Sequence, residues 1–431
     1  MEKIRHGSKE ILSFFVDFLR FFLVTLCLPY DILGTVGLFP VRKRGLKMKR
    51  LQVLLLVALS STLLLFGCGK EKEEVIEPVV EQVIEDEPET VEETEQTQEE
   101  TDEDVPPEEG MVRSRITNEW VKEEVNNTRP ITVMIPNTKT ASQYGISQAD
   151  VLYECNVEGS ITRLMALFQD WSNFDRLGNV RSCRDYYVYW SFEWDAFYIH
   201  FGGPFYIDEV INRPDTEDID GMTSSNFWRS GDTGNTTDDA YVDTAGIKAD
   251  INRLGYDLEY RDGYADEQHY LFAPSGEPNT LEQYSDAITA NKIDMSPTYP
   301  VTKCYFVYNS DTGLYDRYQH LSGAADGPHI DKANGQQLTF KNIIIQNTYY
   351  EVRDQKGYLA FQCHDTTRDG WFFTNGKGIH INWEKTSDYG ATRYYDDNGN
   401  EIQFNTGKTM VCIVEDGDSF IVDDSKITPS N

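Results

Sequence analysis

The chain has 431 residues, 39% of them hydrophobic and 13% aromatic, which is enough to build proper cores and excludes a protein disordered throughout. Its formal charge of -33 is unevenly divided: residues 1–70 carry 11 basic and 4 acidic side chains, 71–110 carry 1 and 19, and 111–431 carry 27 and 49. Such acidity offers no electrostatic footprint for a nucleic-acid backbone, and anionic headgroups repel it unless a covalent tie holds it at a membrane.

Residues 1–47 contain the apolar stretch "ILSFFVDFLRFFLVTLCLPYDILGTVGLFP", broken by Asp17 and Arg20. A membrane segment ahead of an export signal has little purpose, so translation is expected to start at Met48 and 1–47 to be a non-native extension. An extra N-terminal membrane segment is the alternative. From Met48-Lys49-Arg50 the chain runs through "LQVLLLVALSSTLLLFG" to Cys68, the charged, apolar and small residues falling in the order of a secretory signal. The segment resembles a bacterial lipoprotein signal: Leu65 and Gly67 suit its cleavage motif, whereas Phe66 is larger than the usual small residue. The resemblance implies a signal peptide over 48–67 and a lipidated first residue at Cys68. A plain transmembrane anchor over 51–67 is the rival reading, although that length lies at the lower limit for spanning.

Between Glu71 and Glu109 the sequence is almost wholly Glu, Asp, Val, Thr, Gln and Pro, too poor in apolar surface to offset the entropy of ordering. Residues 68–113 are expected to be the lipidated cysteine and a disordered acidic tether, whose about 40 residues at roughly 3.3 Å each reach at most about 130 Å.

The first folded element is a strand over 131–135. "DVLYECNVEG" and "ITRLMALFQD" then read as a hairpin turning at Gly159-Ser160. "CRDYYVYWSFEW" reads as a helix feeding the strand "AFYIHFGGP", and "DTAGIKADINRLGY" as a helix starting from Asp243 or Thr244. Residues 114–295 therefore make an α+β or α/β N-terminal domain. Beyond Pro297 and Pro300 come short β-branched and aromatic runs separated by "SDTG", "KANG", "DQKG", "TNGKG", "DDNGN" and "EDGD", which make 296–431 a mainly β C-terminal domain.

Five cysteines follow Cys68, with no CxxC pair and no zinc spacing; most sit in apolar runs and read as buried thiols, with a Cys304–Cys412 disulfide open. No metal or other cofactor is expected, and no nucleotide-binding or hydrolase signature occurs.

The densest functional stretch is "GNVRSCRDYYVYW". Arg181 and Arg184 flank Ser182 at a helix start, where two guanidinium groups and free N–H groups could meet one anion. Ser182 and Asp185 also match a capping box, and the arginines could instead pair with Glu154 and Glu158. Those two glutamates, four apart in one β-type run, would share a face near Arg163 and are weak candidates for a catalytic acid and base. An ion-pair network across the hairpin has the same signature. His200 ends a strand just before Gly202-Gly203, a position that in α/β sheets borders crevices, though a histidine held by a backbone partner looks the same. His329 lies in a polar turn.

The stretches "RPITVMIPN", "ISQADVLYECNVEGSITRLMALFQ", "NVRSCRDYYVYWSFEWDAFYIHFGG" and "TRYYDDNGNEIQFNTGKTMVCIVE" together resemble the YerB-like bacterial lipoproteins. That resemblance implies paired N- and C-terminal domains of unknown function and supplies no reaction. Carried over by motif, Glu154, Glu158, Arg163, Arg181, Ser182, Arg184, Asp185, His200 and Gly202 fall on the family's polar positions. After "SNFWR" the family pattern is basic and contains a histidine, whereas this chain has "SGDTGNTTDDAY". The departure implies a lost activity if that loop is catalytic, or a less anionic ligand if it tunes binding. The expectation is a membrane-anchored lipoprotein on the outer face of the cytoplasmic membrane. Its partner is the membrane through Cys68 together with an anionic envelope polymer or peptidoglycan fragment, bound through Arg163, Arg181, Ser182, Arg184, Asp185, His200 and Gly202. An envelope hydrolase using Glu154 and Glu158 and a scaffold for another envelope protein are the alternatives.

Overall fold

Strands and turns dominate the computed structural model, which describes residues 105–264 and 268–429. The extension, the signal peptide, Cys68 and nearly all of the acidic tether lie outside the described residues. Among the described residues the first strand is Met111–Arg113, slightly ahead of the expected boundary.

The strands β1 (Ile131–Pro136), β2 (Val151–Asn156), β3 (Thr162–Phe168), β4 (Phe197–His200) and β5 (Asp218–Asp220) come from the N-terminal half. From the C-terminal half come β6 (Asn342–Thr348), β7 (Asp365–Thr374), β8 (Lys377–Lys385) and β9 (Thr409–Glu415). All nine join one sheet in the order β8-β7-β6-β9-β2-β3-β1-β4-β5, so a single ladder crosses the boundary expected near residue 296. The junction is the parallel pair β9 and β2, with Cys412 opposite Glu154. Six strands, β6, β9, β2, β1, β4 and β5, run in one direction. Their carboxyl ends therefore share one edge of the sheet.

Both faces of this sheet are covered, which is why β1, β6 and β9 read as near-continuous apolar runs rather than alternating ones. One face, including Ile131, Val133 and Ile345, packs on a second, antiparallel sheet through Ile293, Cys304, Phe306 and Phe420, and on the helix α2 (Thr244–Leu254) through Ile247 and Ile251. The other face, including Met134, Met165 and Val411, packs on the helix α1 (Asp185–Phe192). Only Asp185 and Tyr189 of α1 escape full burial, as suits a helix that is apolar all round. In the second sheet the strand Cys304–Asn309 alternates buried and half-buried residues at its start, the mark of one covered face.

Local signals place several elements. Asp243 caps α2 by accepting the Gly246 N–H at 2.7 Å, and Gly255 ends it in the left-handed conformation. Asn375 and Gly376, with φ of 49° and 72°, make the tight turn between β7 and β8. The hairpin expected around Gly159-Ser160 is the antiparallel pair β2 and β3. The five described cysteines are buried free thiols, so the Cys304–Cys412 bridge does not form.

Candidate functional site

The expected polar set divides into closed and open groups. Glu154 is fully buried near the end of β2, where its carboxylate accepts from Arg317 Nη2 at 2.7 Å, Thr162 Oγ1 at 2.6 Å and Asn137 Nδ2 at 3.0 Å. Arg317 is equally buried and also meets His329, which in turn meets Gln143. His329 is thus a core residue, not a surface turn. Burial and the Arg317 charge hold its pKa well below the ordinary value, so the ring is neutral.

Glu158 does not share a face with Glu154, because β2 ends at Asn156 and Glu158 sits in the 3₁₀ turn Glu158–Ser160. Strand alternation stops where the strand stops. Glu158 pairs bidentately with Arg184, whose Nε donates to it at 3.1 Å, while Arg184 Nη1 donates to the Cys183 carbonyl at 2.7 Å. Burial works to raise the Glu158 pKa, but the Arg184 guanidinium outweighs it and holds the carboxyl below the ordinary value.

Ser182 and Asp185 do not form the capping box. The N-cap of α1 is Arg184, in extended conformation and without a side-chain cap, and Asp185 pairs instead with Arg353. Ser182 contributes its carbonyl, which accepts from Arg163 Nη1 at 3.0 Å. Arg163 is itself buried, and desolvation together with Arg184 and Arg181 pushes its pKa down to about 10. His200 is closed as well: Nε2 lies 3.0 Å from Asp218 Oδ2 and Nδ1 2.9 Å from the Gly202 carbonyl. The Gly202 N–H is taken by Asp220 Oδ1 at 2.7 Å, so it has no donor to offer an anion.

Arg181 behaves differently. Its backbone is fixed by bonds to Met134 and Phe201, at the carboxyl ends of β1 and β4. Arg181 lines a cleft of about 530 Å³ together with Val180, Phe201, Met222, Arg229, Thr236, Thr237 and Ala240. Among the described residues its ion-pair partner is Asp238, at a loose 3.4 Å, whereas Arg229 holds Asp239 at 2.6 Å. Asp238 Oδ2 is held from elsewhere, by Thr138 at 2.9 Å, Thr140 at 2.6 Å and Asn235 at 2.9 Å, whereas Oδ1, the oxygen nearest Arg181, is buried without a hydrogen-bond partner among the described residues. The acidic loop that departs from the family pattern is therefore what faces the two cleft arginines. Met222, 65% exposed, adds an apolar rim. Crevices at the carboxyl ends of parallel strands are the usual ligand positions of such sheets. Arg181 was legible in the sequence; Arg229, Phe201 and Met222 were not, since only the fold brings them to it.

The family model for the N-terminal domain of a protein of unknown function, DUF3048, matches residues 116–257, and the model for its C-terminal domain matches 294–411. The chain belongs to the family defined by this pair of domains. It is 25% identical over 319 residues to "Putative lipoprotein YerB" of Bacillus subtilis strain 168, covering 73% of this chain and 90% of that protein. A crystal structure of the Bacillus subtilis YerB protein shares the fold, with a TM-score of 0.59 and 23% identity over 70% of this chain and 96% of that one. Among the described residues no helix is long and apolar enough to cross a membrane, and no group of three or more His, Cys, Asp or Glu is arranged to hold a metal.

Proposed function

We propose that this family member is an extracytoplasmic lipoprotein, tied to the membrane through Cys68, that binds an anionic group of an envelope component in the Arg181–Arg229 cleft. The observation that carries the reading is the unequal engagement of the arginines: Arg163 and Arg184 are enclosed by protein partners, while Arg181 keeps one loose carboxylate and faces a cleft at the strand ends. An incoming phosphate or carboxylate would gain a guanidinium partner while Arg181 Nε stays beside Asp238 Oδ1 and three other donors hold Oδ2. With Asp238 and Asp239 balancing Arg181 and Arg229, the cleft suits a single anionic group flanked by apolar surface better than a densely charged polymer segment. Lipid attachment rests on the Cys68 signal and on the name of the relative. The catalytic role weighed for Glu154 and Glu158 gains nothing from the geometry, because Glu154 is sealed and Glu158 is locked to Arg184.

The test is equilibrium binding of poly(glycerol phosphate) and of carboxylated peptidoglycan fragments to the full-length protein and to Arg181→Ala/Arg229→Ala. One anion should bind the wild type and lose at least about tenfold in affinity in the double variant, about 1.4 kcal/mol. Equal binding by a folded double variant would remove the cleft from the account. Mass spectrometry of the mature N-terminus checks the anchor, where a diacylated Cys68 is expected.

A further inference from the structure

The edge of the sheet that carries the arginine cleft is also where the fold leaves large apolar side chains in water. Among the described residues eight such side chains are exposed, and four of them closely follow the carboxyl ends of parallel strands: Phe205 after β4, Met222 after β5, and Tyr349 and Val352 after β6. Phe205 is 72% exposed and Val352 59%. Strand direction brings the three loops to one edge, and side-chain contacts join them there. A Cβ added at Gly202 would meet Met222 Cγ at 3.1 Å, so the loops after β4 and β5 touch. The Tyr206 ring centroid lies 5.1 Å from that of Tyr358 and 4.6 Å from the Arg353 guanidinium, which ties the loop of Phe205 to the hairpin bearing Val352.

Exposed apolar side chains gathered on one face mark a surface that meets a protein or a membrane. Three observations favour the membrane. The apolar side chains border the Arg181–Arg229 cleft, whose lining includes Met222, so an anion entering it arrives among hydrocarbon. A lipid presents phosphate and hydrocarbon side by side. The second observation is charge: segments 201–209, 221–229 and 349–358 together carry three basic and four acidic side chains, whereas 111–431 carries 27 and 49. These loops are thus largely relieved of the acidity that would repel anionic headgroups. The third is chain length. Cys68 stands about 40 residues ahead of the first strand, at most about 130 Å when fully extended, so a bilayer holding that cysteine is within reach and even a weak contact is populated.

We propose that this edge rests on the bilayer, with Phe205, Met222 and Val352 entering the headgroup region and Arg181 and Arg229 holding the phosphate of an anionic lipid. The inference rests on the anion-binding reading of the cleft and on the Cys68 anchor, and it names the bound group as a membrane lipid. A lipid phosphodiester carries one negative charge, which matches a cleft whose two arginines are already partly balanced by Asp238 and Asp239. Insertion and headgroup contact reinforce each other, because binding at an interface grows with buried apolar area and with attraction to anionic lipid.

The experiment places the full-length lipidated protein in vesicles of phosphatidylcholine alone and of phosphatidylcholine with an equal share of phosphatidylglycerol, and reads amide hydrogen exchange by mass spectrometry. Segments 201–209, 221–229 and 349–358 should exchange several-fold more slowly in the mixed vesicles. Phe205→Ser/Val352→Ser and Arg181→Ala/Arg229→Ala should each lose that protection, and Phe205→Ser/Val352→Ser should still bind poly(glycerol phosphate) in solution as wild type does. Unprotected loops in mixed vesicles, with binding of the soluble polymer intact, would overturn the membrane contact and leave the anion cleft standing. Loss of both would bring down the cleft reading together with the contact that depends on it. Equal protection in the two kinds of vesicle, the mark of a protein neighbour or a second copy, would overturn the proposal, as would protection that survives in either double variant.

Discussion

Two arginine–carboxylate pairs in this protein use the same chemistry in opposite ways. Arg317 and Glu154 meet at 2.7 Å with both side chains wholly buried, and Asn137, Thr162 and Cys304 also donate to Glu154. Arg181 and Asp238 meet at 3.4 Å beside open space, with a quarter of the Arg181 side chain exposed. The first pair is structural, since neither partner can leave without stranding the other in a low dielectric, and the second is looser, since Arg181 keeps partial access to solvent and three other donors hold Asp238 Oδ2. Residue identity cannot separate the cases; enclosure does.

The largest effect expected from this contrast is at the sealed pair. Glu154→Gln leaves Arg317 charged and uncompensated and should cost about 3–5 kcal/mol in urea denaturation, whereas Glu154→Leu combined with Arg317→Met should recover most of that loss. If the single variant unfolds within about 1 kcal/mol of wild type, the pair is not the clamp described.

The looser pair falls well below the sealed one: Arg181→Ala leaves Asp238 Oδ1 buried without its charge partner while Oδ2 keeps Thr138, Thr140 and Asn235, and should cost about 1–2 kcal/mol. A loss comparable to that of Glu154→Gln would show that Arg181 is structural and would undercut its role in the cleft.

The smallest effect sharpens the comparison. His380, about one third exposed, lies between Asp369 and, at 2.6 Å, Asp397. The Asp369 hydrogen bond is the main reason its pKa rises from 6.5 to about 9 against the opposing effect of burial, with Asp397 adding to it. A folded-state pKa above the unfolded one means that the stabilisation is complete below pH 6.5 and disappears as pH rises through about 9. Discounted for solvent, it amounts to about 1 kcal/mol or less. Melting temperatures measured across that window should fall for wild type, and His380→Gln should flatten this part of the profile.

Much of the fold was legible because it is locally encoded. Asp243 announced its helix through a side chain that caps three residues on, and Asn375-Gly376 announced a hairpin through tolerance of positive φ. The capping box at Ser182 misled, because Asp185 found a partner 168 positions away in Arg353, a contact no window of sequence contains. Glu158 misled in another way: an alternation argument was carried past Asn156, where the strand had ended. Among the site residues Arg181 could be named from its neighbours, but Arg229 and Met222 lie in segments whose meaning depends on where β4 and β5 deliver them.

By itself the sequence determined the strands, the two long-lived helix signals, the division of charge along the chain and the family, all of which rest on interactions between residues close in sequence or on whole-chain pattern. Only the tertiary structure decided that the two matched domains share one sheet, that Glu154 is paired with Arg317 163 positions away, and that six parallel strands end on one edge, where Arg181 and Arg229 line one cleft. The physical reason is that a charge becomes structural or functional according to how much water remains around it, and that is settled by neighbours supplied from distant parts of the chain.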